Sequence, residues 1–305
     1  MHWYVIRRLL QIPFCLLGIT FVIFVLVRLR GDPVDLYLPY DAPEEVRAQL
    51  RHNLGLDEPL PIQYGRLVMN MTRGDFGYSI WYRKPALDVV ISYIPATVQL
   101  LGAALVLGAV LGIVGGLVCG VKKGSPLDAF LVSVAVFGQA TPGFWLGIML
   151  ILVFAVRLHW FPASGKGGWE HMVLPTFTLL MFLLPPTLLL VRSSVLETLG
   201  EDFVLVARSK GLTERAILLG HVLKNALRPT VTSLGMQVGA LMGGAVITEA
   251  VFAWPGLGRL SILAVSNRDM SIVQACVAIL AVWVMVCNLL ADITNALIDP
   301  RIQAG

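Results

Sequence analysis

Apolar residues run in long blocks along this chain, and the polar residues gather between them. A helix needs around 20 apolar residues to cross a hydrocarbon core of about 30 Å. Six stretches reach that length: 9–29, 97–121, 129–158, 172–192, 230–253 and 272–297. The second carries no charge at all. The third is interrupted by Thr141-Pro142-Gly143, which predicts a kink within one span, because proline removes a helical N–H and crowds the preceding turn. The fourth contains Pro185-Pro186 yet is uncharged from Val173 to Val191, and the sixth holds Asp292 near one end.

The polar intervals also have pattern. Between the first two blocks, Asp41 followed by Glu44 forms a capping box. Val46, Leu50 and Leu54 then recur every four residues, and Gly55 is placed to end that helix. A second short helix is predicted from Pro61 to Met71, before Gly74 and Gly77. An element of about 65 residues has too little core to stand alone, so it is expected to pack against the spans. In the interval 193–229, Phe203 to Lys210 reads as a short helix stopped by Gly211. Thr213 caps the next helix, expected to end near Leu227, with Pro229 opening the fifth span.

Glycines mark the packing faces. Gly108, Gly112, Gly116 and Gly120 line one side of the second block, and Gly235, Gly239 and Gly243 one side of the fifth. Small residues at this spacing let helix backbones approach closely in a membrane.

Composition agrees with the pattern. Of the 305 residues 57% are hydrophobic and 14% charged, and the mean hydropathy is +0.78. Soluble domains carry about 25% charged residues, so the fold class is an all-α polytopic membrane protein. The segment from Leu9 to Val27 is longer than a signal-peptide core of roughly 7–15 residues and is read as a retained helix. Lys and Arg favour the cytoplasmic side of membrane helices. A cytoplasmic N-terminus places Arg7, Arg8, Lys122, Lys123, Arg192, Arg208, Lys210, Arg215, Lys224, Arg228 and Arg301 inside. Segment 30–96, with seven basic and nine acidic residues, then falls outside. Both termini are expected in the cytoplasm.

The net charge of +4 is spread out, without a basic run, which leaves nucleic-acid binding without a footprint. Cys15, Cys119, Cys276 and Cys287 lie in apolar blocks with no CxxC pair; they are expected to be small buried hydrophobes. No catalytic set and no metal site emerge. No lysine is followed by Ser or Thr, so a P-loop is missing; the histidines at 2, 52, 159, 171 and 221 form no H-E-x-x-H, and G-x-S-x-G is absent. An ion-coupled carrier needs ionisable groups within its spans. Only Glu249 and Asp292 qualify, both toward span ends, and a structural role or an ion relay remains open for each. The chain reads as a pathway without its own motor.

The interval between the fourth and fifth spans carries a resemblance. Ala207-Arg208-Ser209-Lys210-Gly211, followed by His221-Val222-Leu223-Lys224-Asn225-Ala226, resembles the EAA loop of ABC importer permeases in its dipeptide and oligopeptide branch. Ala207 and Gly211 match the second Ala and the Gly of that motif, while Leu205 and Val206 replace its Glu and first Ala. Further matches occur in order: Gly31-Asp32-Pro33, Leu54-Gly55-Leu56-Asp57, Gly74-Asp75-Phe76-Gly77, Trp254-Pro255-Gly256-Leu257-Gly258 and Asp299-Pro300-Arg301.

The resemblance implies six transmembrane helices of the ABC importer type I permease fold, with a small extracytoplasmic element between helices 1 and 2. It divides the chain into 1–30, 31–96 and 97–305, the last bearing the coupling loop 193–229. It implies contact of Ala207, Lys210, Gly211, Leu212, His221 and Asn225 with cytoplasmic ATPases. Trp254, Pro255, Gly256, Gly258 and Arg259 become either a gate or binding-protein contact or a plain turn. The implied partners are a second, homologous permease, two ABC ATPases and an extracytoplasmic solute-binding protein, in a bacterial inner membrane. ATP and Mg are held by the ATPases and no cofactor by this chain. A secondary transporter, with inverted repeats and paired helix breaks, is the competing reading. The single Thr141-Pro142-Gly143 break has no counterpart in the other half.

Overall fold

The computed structural model describes residues 2–29, 34, 38, 42–53 and 55–298. Gly31-Asp32-Pro33, Asp41, Leu54 and Asp299-Pro300-Arg301 lie outside the described residues.

Long apolar runs become helices because a helix bonds its own backbone groups where water cannot. In chain order these are α1 (His2–Leu29), α2 (Glu44–Asn53), α3 (Leu60–Thr72), α4 (Ala86–Val121), α5 (Pro126–Ala140), α6 (Gly143–Leu150), α7 (Glu170–Leu199), α8 (Asp202–Ser209), α9 (Glu214–Ile217), α10 (Leu223–Val251), α11 (Leu257–Ser266) and α12 (Met270–Ile298). π-Helical stretches extend α6 over Ile151–Arg157 and join α9 to α10 over Leu218–Val222. Among the described residues, Ala86–Val121, Glu170–Leu199, Glu214–Val251 and Met270–Thr294 are each long and apolar enough to cross a membrane. The pair Pro126–Ala140 and Gly143–Arg157 makes a fifth if it is one span, and α1 contributes the apolar stretch Pro13–Leu26.

Three features depart from the sequence expectation. The break at Thr141-Pro142 bends the chain by 109°, far beyond a kink. Thr141 is extended (φ −85°, ψ 125°), the conformation that a following proline favours, and its hydroxyl donates to the Phe137 carbonyl at 2.7 Å. The second apolar helix starts at Ala86, not near 97, and runs through Pro95. A two-residue hairpin of β1 (Tyr78–Ser79) and β2 (Lys84–Pro85) precedes it. Finally, the helix after Thr213 does not end at Leu227. It continues through Pro229 to Val251, and next to the proline the Thr230 hydroxyl donates to the Ala226 carbonyl.

The chain forms two compact units. Among the described residues, one holds Ala96–Pro255 and 286–298; the other holds His2–Pro95 with Gly256–Met285.

In the first unit α7 is the most buried element, with Leu179, Leu183, Leu188, Val191 and Val195 almost fully enclosed. The glycine stripe of α4 lies directly against it. A Cβ on Gly112 would sit 2.8 Å from Thr187 Cβ, one on Gly116 would sit 2.6 Å from the Leu188 carbonyl oxygen, and one on Gly120 would sit 2.6 Å from Val195 Cγ1. Only residues without a side chain permit that approach. On α10, Gly235 and Gly239 face Ala291 and Asn288 of α12, whereas Gly243 faces open space.

In the second unit Val89 and Val90 of α4, Leu257 and Leu260 of α11, and Ile272 and Cys276 of α12 form one core. Tyr64 of α3 sits on α1 between Phe21 and Phe24 and donates to the Leu17 carbonyl at 2.7 Å. Asp269, 2% exposed, accepts from Ile272 N and so caps α12. The same carboxylate accepts from the Ser79 hydroxyl and from Trp81 N, which anchors the hairpin. Cys119 and Cys276 are buried as expected, while Cys15 lies on the exposed side of α1.

Candidate functional site

The segment from α8 to the start of α10 is built as a short platform. Glu201 precedes α8 in extended conformation, and α8 ends at Lys210. Gly211 follows with φ +77°, the left-handed conformation that side-chain-bearing residues avoid. A Cβ there would meet nothing within 4 Å. Glycine is therefore favoured by backbone angle and not by space. Thr213 caps α9 by accepting from Ala216 N. Across the turn, Arg208 Nε and Nη2 donate to the Glu214 carboxylate at 2.8 and 3.2 Å, and that hydrogen-bonded contact holds the guanidinium pKa further above its ordinary value.

The platform has a buried underside and a free upper side. Val204, Ala207, Ile217, Val222 and Ala226 pack on Val191 and Val195 of α7, with Ile113 and Leu117 of α4 partly buried beside them. Lys210, Gly211, Leu212 and His221 are exposed, and Asn225 is half-buried. Asn225 Nδ2 donates to the His221 carbonyl at 2.9 Å, inside the π-helical stretch. So Ala207 is the inward anchor of the predicted set, Lys210 to Leu212 form its exposed tip, and Asn225 braces the helix behind it.

The turn after α10 is enclosed. Trp254 is 1% exposed; its indole N–H donates to the Ala96 carbonyl at 2.9 Å, and Lys166 Nζ lies 5.6 Å over its ring. Pro255 is half-buried and closes the first unit. In the second unit Gly256 precedes α11, Gly258 is buried in it, and Arg259 is half-buried. The exposed tip near Gly211 and this turn are different kinds of site, one a presented surface and the other a packed corner.

Two further groupings were not singled out by sequence. Arg192 of α7 donates through Nε and Nη2 to the two carboxylate oxygens of Asp128 at 2.7 and 2.9 Å. Asp128 also accepts from Gly124 N at 2.9 Å, and Ser125 caps α5. The hint lay in Ser125-Pro126 opening a helix with an acid in its first turn, a pattern that favours an anion at a helix start. At the helix break, Gly138, Gln139, Thr141, Leu146, Thr178 and Phe182 surround a cleft of about 100 Å³. Gln139 and Thr141 meet there. Thr97 instead bonds Glu249, and Gln237 bonds Ser233.

Comparisons with known proteins bear on what these parts serve. Residues 112–304 match the family described as binding-protein-dependent transport system inner membrane component. Residues 1–101 match the N-terminal part of the membrane component of binding-protein-dependent transport systems. The chain is 36% identical over 301 residues to the glutathione transport system permease protein GsiC of Escherichia coli, covering 98% of both chains. Identity and coverage are the same for GsiC of Shigella dysenteriae. Among solved structures, an inward-facing form of the MetNI methionine ABC transporter is similar in fold, with a TM-score of 0.58 at 17% identity over 69% of this chain and 96% of that one. An amino acid ABC transporter with histidines aligns with a TM-score of 0.51 at 17% identity, over 68% of this chain and 93% of that one. A helical membrane chain bearing a platform that ends in a glycine turn, and matched over nearly its whole length by such relatives, belongs to the binding-protein-dependent inner membrane components, the permease subunits of ABC importers.

Proposed function

We propose that this chain forms half of the path by which a type I ABC importer carries peptides, glutathione-like tripeptides among them, across the bacterial inner membrane. The observation that carries the mechanism is the α8–α9 platform, whose Ala207 side is sunk into α7 while Lys210, Gly211 and Leu212 stand free. A compact convex tip on a rigid base suits a groove on an ATPase. Closing of two ATPases around ATP and Mg would push the tip, and the glycine-lined contacts of α4 and α10 would let the spans shift. His221 and Asn225 keep the helix behind the tip straight enough to transmit the push. The name of the GsiC relatives supports the solute class.

In this reading the chain has six spans, both termini in the cytoplasm, and segment 31–96 on the outer side facing a solute-binding protein. A second permease and two ATPases complete the complex. Of the Trp254–Arg259 turn, half-buried Pro255 is the residue of the first unit and half-buried Arg259 that of the second that a binding protein would meet. Catalysis and nucleotide binding belong to the ATPases.

The test is to solubilise membranes gently, recover the tagged chain with its partners, and reconstitute the complex in proteoliposomes. Recovery of an ABC ATPase with a second permease, and ATP-dependent uptake of radiolabelled glutathione or trialanine when the co-encoded binding protein is added, is the expected result. Uptake without ATP by the chain alone would replace this reading with a secondary carrier.

A further inference from the structure

Helices α5 and α7 run from the Asp128–Arg192 pair to the cleft at the helix break. Asp128 lies in the first turn of α5 and Thr141 just after its end; Thr178 and Arg192 lie on α7. At 1.5 Å per residue, pair and cleft are about 20 Å apart along either helix. One end of this helix pair is closed by an ion pair, and the other opens on Gln139, Thr141, Thr178 and Phe182.

Two of the helices packed on α7 are attached to it in different ways. Helix α4 meets α7 along Gly112, Gly116 and Gly120, which lie close against Thr187, Leu188, Val191 and Val195 without charged groups between them, and Gln99 Nε2 donates to Met172 Sδ toward the opposite end of that contact. Helix α5 is tied by a guanidinium fork on a carboxylate that is itself 5% exposed, and such bidentate pairs fix angle as well as distance. Arg192 also adjoins Val191, which with Val195 carries Ala207 and Ile217 of the platform. Any force on the platform therefore reaches α7 within one turn of Arg192.

We propose that the Asp128–Arg192 pair is the joint that makes α5 move with α7, so that displacement of the α8–α9 platform opens or closes the Gln139–Thr141 cleft. Asp128 and Arg192 are positioning residues: they contact neither nucleotide nor solute. The proposal rests on the permease reading and adds the route by which ATPase movement reaches the spans.

The experiment uses the whole complex in nanodiscs, with Gln139→Cys as reporter in a Cys15→Ala, Cys287→Ala background. The rate of N-ethylmaleimide labelling at the reporter is measured without nucleotide and with ATP plus vanadate, and ATP hydrolysis is measured in parallel. In the parent the nucleotide is expected to change the labelling rate about fivefold or more, the lower range of ordinary coupling between sites. With Asp128→Asn or Arg192→Gln added, hydrolysis is expected to persist while that change disappears. Arg192→Lys, which keeps the charge but loses the fork, is expected to be intermediate. An unchanged labelling response in Asp128→Asn or Arg192→Gln would overturn the proposal. So would loss of hydrolysis in all three variants, since the pair would then serve assembly alone. A parent complex without any ATP hydrolysis would instead remove the permease reading, and the proposal with it.

Discussion

The Thr97 hydroxyl donates to the Glu249 carboxylate across 2.7 Å, joining α4 to α10 where both side chains are almost fully enclosed. One residue earlier, the Ala96 carbonyl accepts from the Trp254 indole, so two bonds in succession pin the same stretch of α4. A buried carboxylate deprived of a donor bears the cost of its desolvation. Thr97→Val keeps the shape and removes the donor, and is expected to destabilise the protein by about 1–3 kcal/mol. Thr97→Ser is expected to stay near the parent. Thermal unfolding of the purified complex in detergent distinguishes them; equal midpoints for Val and Ser would show that this bond contributes nothing.

The glycine faces differ in what they tolerate. At Gly116 a new Cβ would press on the Leu188 carbonyl oxygen at 2.6 Å, backbone that cannot swing aside, whereas at Gly243 it would meet nothing within 4 Å. Gly116→Ala is expected to cost about 1–3 kcal/mol by overpacking, and Gly243→Ala to fall within about 0.5 kcal/mol of the parent. The comparison is made by thermal unfolding and by the yield of assembled complex.

Gly211 should be sensitive to backbone angle more than to size. Its φ of +77° lies beside open space, and left-handed backbone costs a non-glycine residue about 1–2 kcal/mol. Asparagine, which visits that region readily, is expected to retain most ATP-driven uptake at this position. Gly211→Val is expected to leave the protein inserted and assembled while uptake per ATP hydrolysed falls severalfold. Should Val and Asn behave alike, the turn angle is not what the partner reads.

Asp269 unites two jobs, the cap of α12 and the anchor of the 78–85 hairpin. Asp269→Asn keeps a capping oxygen, whereas Asp269→Ala removes both cap and anchor. Brief trypsin treatment is expected to cut Asp269→Ala after Arg83 at the hairpin tip well before the parent, with Asp269→Asn in between. Identical digestion of all three would mean that the hairpin is held by its own strand pairing.

The helical membrane class and the stop and cap of the platform's helices could be read in the sequence alone. Apolar runs of this length have one stable answer in a membrane, because helices alone among single segments bond their own backbone. The helix ending at Gly211 and the cap at Thr213 were legible because both depend on local backbone chemistry. The glycine stripes announced close approach, though not that α7 and α12 are the surfaces approached.

Tertiary structure decided what depends on partners distant in sequence. Arg192 reads as a membrane-flanking base and Asp128 is not singled out, and only packing of α5 on α7 makes them a bidentate pair. Trp254 reads as part of either a gate or contact or a plain turn, and only the tertiary structure shows its indole donating to the Ala96 carbonyl in an enclosed position. The 109° bend at Thr141-Pro142 and the uninterrupted course of α10 through Pro229 show the same limit. Proline removes a hydrogen bond wherever it stands, but whether the chain turns there is settled by the neighbours that replace the bond and fill the space.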